Sequence, residues 1–158
     1  MIDFKEQLKT IVKKHNLPSF ETLDKEFEFL YVGKIIEVTR PLSFIRRRMS
    51  DKMGGILGML QGMVQPNPSS MISLEESSFF TKEEKQEKII AILRELMYFE
   101  RLSIHLNITS TDEEEVAFIK ALWEKWNHLK PQILELTKKL HEGWRKDSEE
   151  KKDHNYMG

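Results

Sequence analysis

Apolar side chains recur every three or four residues along three long stretches of the chain, which is the spacing of helices that bury one face. The stretches cover residues 41–64, 81–108 and 112–146. A shorter run with the same spacing ends at Pro18. Pro41 suits the first turn of the helix predicted over residues 41–64. A chain of 158 residues is the usual length of one domain. The sequence therefore predicts an all-α, single-domain helical bundle of four or five helices.

Between the first and second long stretches the helical pattern breaks. Two prolines and five serines in the segment 65–80 predict a loop. Thr81 follows, with Glu84 three residues later, and this pair is a capping box that begins a new helix. Apolar positions lie around most of the circumference of that helix between Ile89 and Ile108. We therefore expect it to be central and heavily buried.

The last helix has a clear start and an internal proline. Ser110 or Thr111 caps it, and the run 112–115 places four carboxylates at the positive end of the helix dipole. We interpret this acidic run as structural. Pro131 removes one backbone donor and clashes with the carbonyl four residues before it, which predicts a kink or a split near residue 130.

Two segments outside the long helices have distinct patterns. Residues 27–39 favour the end of a short helix followed by a bend, but Gly33–Lys34 also suits the turn of a small hairpin. The apolar period stops after Lys146. We expect a helical domain over residues 1–147 and a flexible tail over 148–158.

Composition limits the partners and the location of the chain. It has 25 basic and 26 acidic side chains, so no global field attracts it to nucleic acid or to an acidic membrane. It has no cysteine, which excludes disulfides, thiolate metal sites and cysteine nucleophiles. The N-terminal stretch lacks the pattern of a secretory signal, and no apolar run is long enough to span a bilayer. We expect a cytoplasmic protein without membrane contact.

Residues that usually carry catalysis or bind metals lack the spacing that these functions need. None of the five histidines has a glutamate three residues before it, as helical di-metal sites require. No serine lies in a Gly-x-Ser-x-Gly turn, and no phosphate-binding glycine loop is present. Arg101 and His105 resemble the Arg/His pair of HEPN-type helical ribonucleases, but the interval is one residue too short. We predict no enzymatic activity, no cofactor and no metal.

A basic cluster lies near the start of the helix predicted over 41–64. The region 34–52 has a net charge of +4, from six basic and two acidic residues. Three consecutive arginines spread over about 200° of a helix, so at least one of them should face solvent, where phosphate contact is possible. RNA or DNA binding is therefore the alternative function. The candidate phosphate-binding residues are Arg46, Arg47, Arg48 and Lys52.

The same helix contains four glycines that share one face. They lie within an arc of about 100°, roughly opposite the apolar stripe. A ridge without side chains allows another helix to approach closely, and neighbouring methionines make adaptable contacts. One interpretation is a frayed, solvent-facing helix in which the glycines are merely tolerated. The other is a docking ridge for the last helix of the chain, a second copy or a different protein. The predicted partner-binding residues are Gly54, Gly55, Gly58, Met59, Gly62 and Met63.

Two resemblances accompany these patterns. The segments "LPSFETLDKEFEF", "FIRRRMSDK" and "FFTKEEKQEKIIAILRELMYFERL" resemble an uncharacterised family of small all-helical archaeal proteins, which implies an archaeal cytoplasmic origin but no activity. The string "KMGGILGMLQGM" resembles the Met- and Gly-rich segment of signal recognition particle M domains, which bind apolar helices. The sequence thus predicts a non-catalytic protein–protein interaction module. We expect it to form a homodimer or another homo-oligomer through its Gly/Met-rich helix, or to bind a helical protein partner there.

Overall fold

A computed structural model describes the backbone of residues 3–31 and 38–155 and the side chains of residues 3–30 and 38–146. Every regular element in these ranges is helical, which confirms the all-α prediction for them. A short 3-10 segment, Phe29–Tyr31, and a π-helical turn, Glu84–Ile89, accompany six α-helices. The α-helices are α1 Phe4–Lys14, α2 Phe20–Phe27, α3 Pro41–Val64, α4 Met71–Ser78, α5 Ile90–Ile108 and α6 Asp112–Asn155.

Helix α4 lies where the sequence predicted a loop. Ser70 is its N-cap, and the Ser70 Oγ accepts a hydrogen bond of 3.2 Å from the backbone N–H of Ser73. At the other end, Ser77 Oγ donates to the carbonyl of Met63 at 2.7 Å and so connects α4 to α3. The serines that indicated a loop are therefore a cap and a tie between helices. The loop prediction is wrong for Met71–Ser78, and the described ranges contain six α-helices instead of four or five.

The predicted capping residues occupy the positions that local chemistry requires. The backbone N–H of Glu84 donates to Thr81 Oγ1, and the N–H of Thr81 donates to Glu84 Oε1, both at 3.1 Å. Thr111 and Glu114 make the same reciprocal pair at 3.2 and 2.9 Å. These contacts confirm the capping box at Thr81. They also show that Thr111, and not Ser110, caps α6.

Helix α6 continues through the proline and past the predicted domain end. Pro131 lies inside the helix, so the predicted split is not found. The backbone remains helical to Asn155, where the sequence predicted a flexible tail from residue 148; residues 156–158 lie outside the described part. The alternative of a hairpin around Gly33–Lys34 also falls on residues outside it.

The chain divides into two compact units. The first contains the residues up to Ile56 and Leu96–Lys125, and the second contains Leu57–Glu95 and the chain from Trp126 onward. In the first unit, aromatic rings form much of the core: the Phe4 and Phe44 rings meet edge to face with centroids 5.1 Å apart, and Phe29 lies 6.1 Å from Phe44. In the second unit, the buried side chains are mainly aliphatic. They include Leu57, Leu60, Met63, Phe80, Ile89, Ile92, Trp126, Leu129, Ile133 and Leu136.

Helix α5 buries one face, whereas the sequence predicted a central, heavily buried helix. Its fully buried positions follow a helical period from Ile92 to Leu106. Its apolar side chains Tyr98, Ile104 and Ile108 are exposed, Tyr98 to 62%. The prediction failed because an apolar residue does not by itself indicate that another helix packs on it, and apolar side chains are also found on protein surfaces.

Candidate functional site

The glycine face of α3 is open. A Cβ atom placed on Gly55, Gly58 or Gly62 meets no heavy atom within 4 Å. The same atom on Gly54 meets only Glu100 Oε2, at 4.0 Å. In the described part of the chain, no helix therefore packs closely on the glycine face.

In the second unit, part of this face forms the floor of a groove of about 180 Å³ beside α4. We call it the α3–α4 groove. On the α4 side of the groove, large apolar side chains are exposed to solvent: Met71 is 83% exposed and Ile72 is 64% exposed. Large apolar side chains this exposed on so short a helix are typical of contact surfaces. The groove is lined by Gly58, Met59, Gly62 and Met63 of α3, by Ser70, the N-cap of α4, by Ile72, Ser73 and Glu76 of α4, and by Leu140 of α6.

The structure does not bring all the predicted partner-binding residues together. Gly54 lines a polar cleft of the first unit with Asp51 and Glu100, and Gly55 is exposed without lining the α3–α4 groove. Met63 lines the α3–α4 groove with Gly58, Met59 and Gly62, although only 2% of its surface is exposed. Its position on the apolar stripe of α3 explains the burial.

A contact that the sequence analysis missed fixes the end of α4 in the second unit. The Phe79 ring lies so close to Gly143 of α6 that an added Cβ would be 2.5 Å from Phe79 Cδ2. Trp144 meets the same ring edge to face, with centroids 5.5 Å apart, and its indole N–H donates to Glu76 Oε2 at 3.1 Å. A glycine inside a helix of good helix formers is the signal that could have revealed this contact.

Arg46 is buried and cannot bind phosphate, so this part of the predicted basic cluster is wrong. None of its surface is exposed. Its Nε donates to Glu115 Oε2 at 2.6 Å, and its Nη1 donates to the carbonyl and the Oγ of Ser103 at 3.0 and 2.7 Å. Its Nη2 donates to Asn107 Oδ1 at 2.9 Å. Each nitrogen of the guanidinium thus has a partner inside the first unit, as a buried charge requires.

Glu115 is the anion that makes this burial possible. Besides Arg46, it accepts hydrogen bonds from Ser43 Oγ at 2.8 Å and from Ser110 Oγ at 2.9 Å. Burial raises the pKa of Glu115, but the hydrogen bonds from these three partners and the positive charge of Arg46 lower it by more, so the pKa is below the usual value of 4.5. This role of Glu115 is structural, as the sequence predicts for the acidic run, but it depends on a buried cation in addition to the helix dipole.

The other cations of the basic cluster point to different partners. Arg48 Nη2 donates to the carbonyl of Glu28 at 3.0 Å, and Lys52 Nζ donates to the carbonyl of Glu26. Both carbonyls lie at the end of α2, where the helix dipole favours positive charge. Arg47 is exposed, and its Nε donates to Asn107 Oδ1 at 3.1 Å. The four residues therefore do not form one solvent-facing basic surface.

A second groove lies in the first unit between α5 and α6, with a volume of about 390 Å³. We call it the α5–α6 groove. His105 lines it, whereas Arg101 is exposed and is not among the lining residues, so the two do not share this cleft. Among the side chains that the structure describes, no three potential metal ligands converge. The lining consists of Tyr98, Phe99, Leu102, His105 and Leu106 of α5 and Glu114, Ala117, Phe118 and Ala121 of α6.

Comparison of the chain with protein-family models, with curated proteins and with solved structures finds no match. None of the helices in residues 3–31 and 38–155 has both the length and the apolarity needed to cross a membrane.

Proposed function

We propose that this protein is a non-catalytic helical interaction module that self-associates through the α3–α4 groove. The observation that carries the proposal is the open backbone at Gly58 and Gly62 beside the exposed side chain of Ile72. The proposal retains a cytoplasmic location, the archaeal origin implied by the resemblance, and a helical bundle whose last helix is kinked near Pro131.

A second copy is the occupant that this surface suits best. A dimer with two-fold symmetry uses the same patch on both partners, so the patch must contain a projection and the depression that receives it. Ile72 projects from α4 beside the bare α3 backbone at Gly58 and Gly62, and Met71 before it is 83% exposed. We infer that α4 of each copy inserts its apolar side chains against the glycine backbone of the other, where close approach maximises van der Waals contact.

The alternative of RNA or DNA binding has lost most of its physical basis. Arg46 is buried, and Arg48 and Lys52 donate to the end of α2. Arg47 is the one member of the cluster with an exposed side chain that does not bond to α2. Phosphate binding with useful affinity requires several cations on one surface.

The test is the molar mass in solution of the wild type, Gly58→Leu and Gly55→Leu, measured by light scattering over a range of concentrations. Leucine at position 58 fills the groove, whereas leucine at position 55 is added to the same helix outside the groove. We expect dimers for the wild type and Gly55→Leu, and at least a tenfold weaker association for Gly58→Leu. A monomeric wild type refutes self-association, and equal association of all three proteins refutes the α3–α4 groove as its interface.

A further inference from the structure

The α5–α6 groove of the first unit has the size and lining of a binding site. Its volume of about 390 Å³ falls within the range of small ligand sites and is enough for several apolar side chains. Phe99, Leu106 and Phe118 form a buried apolar floor, and the Phe99 and Phe118 rings meet edge to face with centroids 5.6 Å apart. Tyr98 stands at its edge and is 62% exposed. The groove is therefore preformed and lined mainly by apolar and aromatic atoms.

The wall on the α6 side is low because two of its residues are alanines. Ala117 and Ala121 lie one turn apart, and both are exposed. Small side chains at this interval allow another helix to lie close to the α6 backbone while its apolar side chains enter the groove. This shape suits a helix better than an extended strand, because no open strand edge exists in the described ranges to pair with one.

Charge at one end of the groove indicates what kind of helix it receives. Glu114 lines the groove, and Asp112 and Glu113 are exposed next to it at the start of α6. Among the described side chains, none of these three carboxylates forms an ion pair. A partner that places lysine or arginine at this end gains charge complementarity, and a partner with carboxylates there is repelled.

We propose that the α5–α6 groove binds a basic amphipathic helix of another protein. The apolar face of that helix occupies the groove between Tyr98 and Phe118, and its cations lie over Asp112, Glu113 and Glu114. This site is separate from the self-association surface, which belongs to the second unit.

The probe is a 14-residue amphipathic peptide of leucine and lysine, labelled for fluorescence anisotropy, and its counterpart in which every lysine is glutamate. We expect the lysine peptide to bind the full chain at least tenfold more tightly than the glutamate peptide. The double variant Asp112→Asn, Glu113→Gln should weaken binding of the lysine peptide several-fold and reduce its dependence on salt. Equal affinity for both peptides overturns the charge argument.

A groove-filling variant separates binding in the groove from general attraction to an acidic surface. Ala121→Leu fills the groove without changing any charge, and Ala91→Leu makes the same change at an exposed alanine of α5 that does not line it. We expect at least a tenfold loss of lysine-peptide affinity for Ala121→Leu and none for Ala91→Leu, with circular dichroism confirming that both remain helical. Equal affinities of the two variants overturn the site, whereas a failure of self-association leaves this result unaffected.

Discussion

Gly143 gives the sharpest prediction about stability, because the usual effect of glycine-to-alanine substitution is reversed there. In an exposed helix interior, alanine is more favourable than glycine by about 0.8–1.0 kcal/mol. At Gly58 the new Cβ enters open space, so Gly58→Ala should gain this amount. At Gly143 the new Cβ lies 2.5–2.8 Å from three atoms of the Phe79 ring, so the ring must move.

The magnitude follows from the cost of that movement. Overpacking of this kind destabilises a folded protein by about 1–3 kcal/mol. Displacing Phe79 also weakens its edge-to-face contact with Trp144, which contributes about 0.5–1.5 kcal/mol. The helix-propensity gain is common to both substitutions, so the difference between Gly143→Ala and Gly58→Ala isolates the clash. We expect that difference to be about 1–3 kcal/mol in the free energy of unfolding, with Gly143→Ala the less stable.

The assay is urea unfolding followed by circular dichroism and by tryptophan fluorescence, at a protein concentration below that of self-association. With a slope of about 1–3 kcal/mol per molar urea, the two midpoints should differ by roughly 1 M. Gly55→Ala is a second control, since its Cβ is also unobstructed and it lies outside the α3–α4 groove. Equal midpoints for the Gly143 and Gly58 variants would show that the Phe79 ring does not lie against the α6 backbone.

Two further predictions concern the buried pair of Arg46 and Glu115. The pKa of Glu115 is lower in the folded chain than its ordinary value of 4.5, so the stability it contributes is fully present above pH 4.5 and is lost as the pH falls through the lowered pKa; Glu115→Gln should show a smaller loss of stability between pH 6 and pH 3 than the wild type in urea unfolding. At pH 7 that variant should lose about 3–5 kcal/mol, because Arg46 then remains buried without its anion. The double variant Arg46→Met, Glu115→Leu should lose less than Arg46→Met alone or Glu115→Leu alone. A double variant with the summed loss of the two singles would contradict the coupling of these residues in a thermal or chemical unfolding cycle.

The features that the sequence predicted correctly are those decided by neighbouring residues. The bounds of α3 agree with the apolar period over 41–64, and the capping box at Thr81 depends on Glu84, three residues away. Thr111 is one of the two caps that the sequence predicts for the last helix, and its partner Glu114 is also three residues away. Helix α4 was not predicted because serine is common both in loops and at the ends of helices. The hydrogen bond from Ser77 Oγ to the carbonyl of Met63, which supports the helix, is not visible in the local sequence.

The features that the sequence missed depend on contacts between distant parts of the chain. Arg46 follows Leu42 by four residues and precedes Met49 by three, so its place on the buried stripe of α3 is visible in the sequence. Its counter-charge is Glu115, which is 69 residues away and cannot be identified from local spacing. For the glycines of α3, the sequence predicted a shared helix face but not what surrounds each glycine. In the structure, Gly54 lines a polar cleft, Gly55 lies on open surface, and Gly58 and Gly62 line the α3–α4 groove.

Cysteine cross-linking between two differently labelled copies tests the proposed interface most directly, since the chain contains no cysteine of its own. One copy carries Ile72→Cys, and the other carries Gly62→Cys or, as the control, Leu134→Cys at an exposed position that does not line the groove. If α4 packs against the glycine backbone of its partner, mild oxidation should join the Ile72→Cys copy to the Gly62→Cys copy by a disulfide. The yield of this disulfide should clearly exceed the yield from the pair of Ile72→Cys and Leu134→Cys. Equal yields from the two pairs would contradict self-association through the α3–α4 groove.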